Sequence, residues 1–169
     1  MNLNYPLIEY VYRLLWWLTW PFFRLSPRFF YGWRKFLLSI FGAKLGRGFK
    51  IFPSSEVTFP WKLVAGDNVT ISWGVKIYNL GQIEIHDNVI ISQHSHLCAG
   101  THDYESAGFD LIKSKIIIES NVWVAADVFI GPNVKIAKGS IIGARSVVFR
   151  DTDANGIYIG NPAELIKYK

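Results

Sequence analysis

A single cysteine, Cys98, is all the thiol chemistry the 169-residue chain possesses, so no internal disulfide can close. A reducing, cytoplasmic setting is the simpler reading. Long apolar runs are also missing. The longest, Leu14 to Phe23, covers ten residues and carries Pro21 near its end, while a helix that crosses a bilayer needs roughly twenty. A secretory signal would open with positive charge and close on a small-residue cleavage site; this chain begins neutral and shows no such site. Absent too are a Walker loop, a GxGxxG turn after a strand, a GxSxG elbow and a CxxC pair. Nucleotide hydrolysis, a Rossmann cofactor and a serine esterase therefore lack support, and no pattern points to nucleic acid.

Acidic residues are scarce in one place only. Residues 1–50 hold eight Lys or Arg against Glu9 alone, whereas the other 119 residues hold ten basic and twelve acidic side chains. The net charge of +5 is thus a property of the N-terminal segment. The same fifty residues hold fifteen aromatics. With half the chain hydrophobic and 16% aromatic, disorder and collagen-like repeats are excluded, and the length suits one domain with a small appendage.

Two short helices are expected in this segment, about 6–20 and 27–41, with Pro21 and Pro27 near the break and Gly42 as the stop. Trp and Tyr favour the headgroup level of a bilayer, and Lys and Arg are drawn to anionic lipids. The composition of residues 1–42 accordingly suits a segment lying on an anionic membrane surface. It equally suits aromatics that cap an open end of the main domain or pack against a second subunit.

From Ile118 the chain falls into sixes, with units beginning at Ile118, Val124, Ile130, Ile136, Ile142 and Val148 and a small or branched residue in fifth place. That period is the hexapeptide signature of a parallel β-helix, in which each unit makes one strand and one turn and three units make a triangular coil. The register extends upstream through Leu45, Ile51 and Val57, then Ala65, Ile71 and Ile77, then Ile85, Ile91 and Leu97. Insertions follow only the third unit of a coil, so all leave from one corner; the long one is residues 103–117. Gly131, Gly139 and Gly143 fall at turns, where left-handed backbone is cheap for glycine. The expected body is a β-helix of about five coils over residues 43–160 with a brief tail to 169.

Three of the four histidines, His94, His96 and His102, sit in "SQHSHLCAGTHDY" at outward positions of the register. A histidine cluster on this architecture would suit zinc and a γ-type carbonic anhydrase, but the places one coil from His102 are Gln82 and Lys135, which supply no stacked ligand. No metal is expected. A lone general base is the alternative, since neutral imidazole titrates near physiological pH. His102 suits that role because it opens the one long insertion; His94 and His96 read as exposed turn residues. By spacing alone His102 can also be a solvated turn residue.

Taken together, "SPRFFYGWRKFLLSIFGAKLG", "FPWKL", "YNLGQIEI", "ISQHSHLCAGTHDY", "DVFIGPNVKI", "GARSVVF" and "GNPA" resemble the colanic-acid-type O-acetyltransferases. These belong to the hexapeptide-repeat acyltransferases that include the galactoside and maltose acetyltransferases. The resemblance spans nearly the whole chain. It implies a left-handed β-helix and acetyl transfer from acetyl-CoA to a sugar hydroxyl, in a homotrimer whose active sites lie between subunits. By the same match His102 is the catalytic base, Asn79 and Ser72 meet the acceptor, and Asp103 orients the base or the sugar. Trp123, Ala126 and Ala144 would line the pantetheine arm, with Arg150 and Lys167 at the CoA phosphates. Asn79 can instead shape its corner, and Arg150 and Lys167 can be plain solvated charges. Glu164, after "GNPA", departs from the family's basic or small residue, and an acid there does not help bind a phosphate.

The function so implied is O-acetylation of a saccharide in polysaccharide assembly, on a free or lipid-linked sugar, by a cytoplasmic enzyme peripheral to the inner membrane face. A metal-dependent hydratase and a non-catalytic membrane scaffold trimerised by the β-helix are the alternatives.

Overall fold

The computed structural model describes residues 6–169; the first five residues of the expected 1–42 segment lie outside the described residues. Its body is a three-sided parallel coil. The first face stacks Lys44–Leu45, Leu63–Ala65, Ile83–Ile85, Ile116–Ile118 and Lys135–Ile136. The third stacks Glu56–Val57, Lys76–Tyr78, His96–Cys98, Phe129–Ile130 and Val147–Val148. The second runs from Lys50–Ile51 to Ile141–Ile142 and adds a sixth strand, Gly156–Ile159, against which the tail Glu164–Tyr168 pairs antiparallel. Five complete coils and part of a sixth result.

Register follows the sixes residue for residue. Ile51, Ile71, Ile91, Val124, Ile142 and Tyr158 form one column, and Val57, Ile77, Leu97, Ile130 and Val148 another. Each of these aliphatic side chains is buried to within 3% of complete, and such burial contributes about 1.5–3 kcal/mol per side chain. Fifth-place serines are buried too, and three of the hydroxyls donate to carbonyls, Ser55 to Ser72, Ser95 to Ala125 and Ser140 to Asp153, while Ser146 Oγ accepts from Gly160 N–H.

The corners correct one expectation. Of the three turn glycines only Gly139 has a left-handed backbone, at φ +75°. At most of the other left-handed corners stand non-glycine residues: Asn68, Asn88, Asn121 and Asn133, with His94, Asp127 and Arg145. Asparagine tolerates this region because its short amide bonds locally. Here the amides also form a ladder, Asn68 Nδ2 donating to Asn88 Oδ1 at 3.1 Å and Asn88 Nδ2 to Asn121 Oδ1 at 3.3 Å. Gly131 serves space instead, since a Cβ there would meet the Phe149 ring.

Two helices close the N-terminal end: α1, Leu7–Arg24, and α2, Tyr31–Ile40. The break lies after Arg24 and not at Pro21, which sits inside the last turn. Proline costs that turn a backbone bond, but Phe23 is fully buried beyond it and Arg24 donates to Ser54 O at 2.8 Å, which holds the turn closed. The inner stripe of α1 is Glu9, Arg13, Trp16, Trp20 and Phe23, one face at helical spacing. Trp16, Phe23, Leu37 and Leu38 join the β-helix in one hydrophobic core.

Polar bonds fix the plug. Carbonyls of the first coil accept from helix side chains: Val57 from Trp16 Nε1 at 2.9 Å, Ile51 from Arg34 Nε at 2.6 Å, Gly46 from Lys35 Nζ at 2.6 Å. Arg34 is completely buried and also donates to Ser26 Oγ, Pro27 O and Arg28 O in the elbow between the helices. It is therefore a structural cation, although by composition it counts among the surface charges. Arg24, Arg28, Lys44, Arg47 and Lys50 remain exposed. Among the described residues no helix is long and apolar enough to cross a membrane.

Candidate active site

At the corner between third and first faces the chain leaves the coil as a hairpin, Gly100–His102 pairing antiparallel with Leu111–Lys113. His102 ends the outgoing strand. Its Nδ1 lies 2.6 Å from the carbonyl of Phe109. A carbonyl can only accept, so in the neutral ring Nδ1 carries the proton and Nε2 keeps the basic lone pair. Phe109 presents that carbonyl from a left-handed backbone, φ +47°, uncommon for a bulky residue. The loop is held by its own bonds: Asp103 N–H donates to Asp110 O, Glu105 N–H to Asp103 Oδ1, and Ser106 Oγ to Asp110 Oδ2.

His102 and Leu111 line an open groove of about 930 Å³. Its floor is Glu56 to Phe59, with Tyr78 and Leu80 alongside. The opposite wall comes from α1, through Arg13, Trp16, Trp17, Trp20 and Arg24. Phe59 is buried, stacks on Trp61 at 5.1 Å, and carries the Arg13 guanidinium 4.4 Å above its ring. Aromatic faces beside one imidazole, one carboxylate and two guanidiniums make a wall suited to a polyhydroxylated or anionic molecule. The helix wall escaped sequence reading, which took the aromatics for a membrane or cap signal. The Trp16, Trp20, Phe23 spacing marks the buried stripe but says nothing of where on the coil it lands.

Other predicted site residues divide between two places. Asp103 adjoins His102, and its Oδ1 accepts the Glu105 N–H within the loop. Asn79 is fully buried, accepting from Phe59 N–H at 2.9 Å and donating to Phe59 O at 2.6 Å; it brackets the floor rather than facing the groove. Ser72, Ala126 and Ala144 lie on a different corner, between second and third faces, with Trp123 on the second face, where its indole donates to Ser92 Oγ at 3.0 Å. Arg150 follows the last strand of the third face, and Lys167 sits on the exposed tail strand opposite Ile157. Within one chain Ser72, Trp123, Ala126, Ala144, Arg150 and Lys167 do not line the His102 groove.

The remaining histidines go separate ways. His94 is a left-handed corner residue. His96 is half-buried on the third face, not an exposed turn, with Phe129 at 5.3 Å and Tyr78 at 6.3 Å between ring centres. Burial lowers its proton affinity below the ordinary 6.5, helped by Lys76 and opposed by Glu56. Among the described residues no three His, Cys, Asp or Glu side chains gather in a metal-holding group.

Residues 115–150 match the bacterial transferase hexapeptide (six repeats) family. Over 154 residues the chain is 44% identical to WcaF of Escherichia coli (strain K12), a protein named for colanic acid biosynthesis acetyltransferase activity; the match covers 90% of this chain and 85% of that one. A galactoside O-acetyltransferase of Lactococcus lactis is 32% identical over 118 residues, 70% of this chain and 55% of its own. A hexapeptide-repeat acetyltransferase of Vibrio cholerae, solved with acetyl coenzyme A, superposes with a TM-score of 0.89 at 22% identity, covering 99% and 92% of the two chains. That last likeness is one of fold. The repeats and the 44% identity to WcaF over 90% of the chain place this chain in the hexapeptide-repeat acetyltransferase family, with its left-handed β-helix.

Proposed function

We propose that the protein transfers an acetyl group from acetyl-CoA to a saccharide hydroxyl, with His102 as general base. One observation carries this reading: Nδ1 is committed to Phe109 O, which leaves Nε2 as the free base at an aromatic-walled groove. In that role His102 takes the proton from the hydroxyl as its oxygen attacks the thioester carbonyl, then returns it to the departing thiolate. Backbone or side-chain N–H groups steady the tetrahedral oxyanion. No acyl-enzyme is required.

A homotrimer supports the same chemistry. The residues proposed for the donor, Trp123, Ala126 and Ala144, and Ser72 with them, occupy one edge of the prism and His102 another. A neighbouring chain can bring the two edges together. Asn79 and Asp103 act on the acceptor only indirectly in this reading, through the floor and the loop. Arg150 and Lys167 remain the proposed phosphate contacts. The acceptor is a sugar of polysaccharide biosynthesis, lipid-linked and met at the cytoplasmic membrane face. The support for this is the relative's name and the wall that the aromatic, basic α1 contributes beside His102.

Replacing His102 with Asn or Ala is expected to cut acetyl-CoA turnover on nucleotide sugars or lipid-linked sugars by about 10²–10⁴-fold, with folding and acetyl-CoA binding retained. Unchanged turnover would remove the imidazole from the reaction and favour a scaffold.

A further inference from the structure

Helix α1 is apolar on two opposite sides. Its inner stripe meets the β-helix. On the far side Leu7, Val11, Leu14, Leu18, Phe22 and Leu25 fall within an arc of roughly 80° at 100° per residue. All six are between 47% and 82% exposed. Tyr10 and Trp17 border this stripe on one flank and Tyr12 on the other, and no charged residue interrupts it. At its C-terminal end the stripe runs into an almost wholly apolar trough of about 500 Å³ in the elbow, walled by Pro21, Pro27, Phe30 and Trp33. A water-facing surface of this kind is a binding site for something.

We propose that this stripe and trough are a bilayer-binding surface, with α1 lying in the plane of an anionic membrane at the boundary of headgroups and acyl chains. Aliphatic residues along the centre with Trp and Tyr on the margins match the layering of that boundary. Charge selects lipid over a second copy of this chain. Glu9 is the one acid on the described helices, and it faces inward, 3.6 Å from Arg13 and 3.5 Å from Lys62. Exposed Arg24 and Arg28 mark the elbow end of the stripe. A second copy would offer the same cations and no partner for them, while anionic headgroups supply the complement.

The orientation has a consequence for the groove. Trp17 borders the stripe and also lines the His102 groove, so a docked α1 sets the mouth of the groove at headgroup level. That last step rests on the acetyl-transfer reading; the binding surface does not.

Sedimentation with phosphatidylcholine vesicles, with and without phosphatidylglycerol and in the absence of acetyl-CoA and acceptor, tests the surface. The protein is expected to bind the phosphatidylglycerol vesicles. Leu14→Glu/Leu18→Glu should weaken binding by about tenfold or more, with circular dichroism, oligomeric state and turnover on a free sugar unchanged. Should that pair fail to fold, Leu14→Gln/Leu18→Gln and Arg28→Gln serve, each expected to reduce binding. His102→Asn should bind as the wild type does, so retained turnover with intact vesicle binding overturns the catalytic reading and not the surface. No binding by the wild type, binding indifferent to the leucine pair, or a vesicle-free self-association that the pair dissolves would each overturn the surface.

Discussion

His102 and His96 stand only six residues apart and are fitted for opposite ends. The first is exposed on a hairpin with its tautomer set by a carbonyl. The second is sunk between aromatic rings with lysine nearby, where burial first and Lys76 second hold it below its usual proton affinity despite Glu56. The sign of the second effect is definite. The unfolded chain binds the His96 proton more readily than the folded one, so stability is full above about pH 6.5 and is lost as pH falls below that value through the folded pKa. Thermal melts from about pH 7.5 to 5 should show a fall in Tm that is smaller in His96→Phe. Parallel falls in the two proteins would clear His96 of that role. Sequence reading distinguished His102 through the insertion it opens, but it could not see the depth of His96. Outward register puts a side chain outside the coil without saying what stacks beside it.

At the scale of elements, one fully buried cation ties the elbow of the two-helix plug to the first coil. Arg34 satisfies Ile51 O, Pro27 O, Arg28 O and Ser26 Oγ from a site without solvent. Arg34→Met keeps much of the volume and strands those acceptors, at an expected cost of about 3 kcal/mol or more. For a chain of this size that lowers Tm by roughly 6 to 12 °C, and Arg34→Lys should recover only part, since a point charge cannot span the fork of acceptors. A Tm within a degree or two of wild type would show that water replaces the guanidinium. The plug also marks where sequence stops being legible. Hexads can be read because every coil repeats the same local demand, an aliphatic residue inward and a small one at the turn. Helix contacts obey no such period: Trp16 meets Val57 across 41 positions. Pro21 likewise invites a break at itself, and the burial of Phe23 and the Arg24 bond to Ser54 O beyond it carry the helix on to Arg24.

For the whole molecule, the His102 hairpin and the proposed donor edge are on different corners of one prism. If each site takes one corner from each of two chains, defects at the two corners must complement. A mixture of His102→Asn chains with Ala144→Trp chains, unfolded and reassembled together, is expected to regain about a quarter of wild-type turnover, the fraction of interfaces that draw both sound corners by chance. Each variant alone should stay inactive. Failure to regain any would mean that both halves belong to one chain. The coil and its register were open to inspection in the sequence, and so was the histidine; the groove was not, because its second wall is contributed by a segment whose composition advertises a different errand.

The stitched N-terminal lid settles a further matter. A solenoid has no built-in length: whatever rung comes last is a template for the next, and identical chains could concatenate through it without limit. Here the bottom rung already spends Gly46, Ile51, Ser54 and Val57 on the chain's own side chains. Head-to-tail polymerisation is thereby denied its first step, and copies of this protein are left to meet side by side.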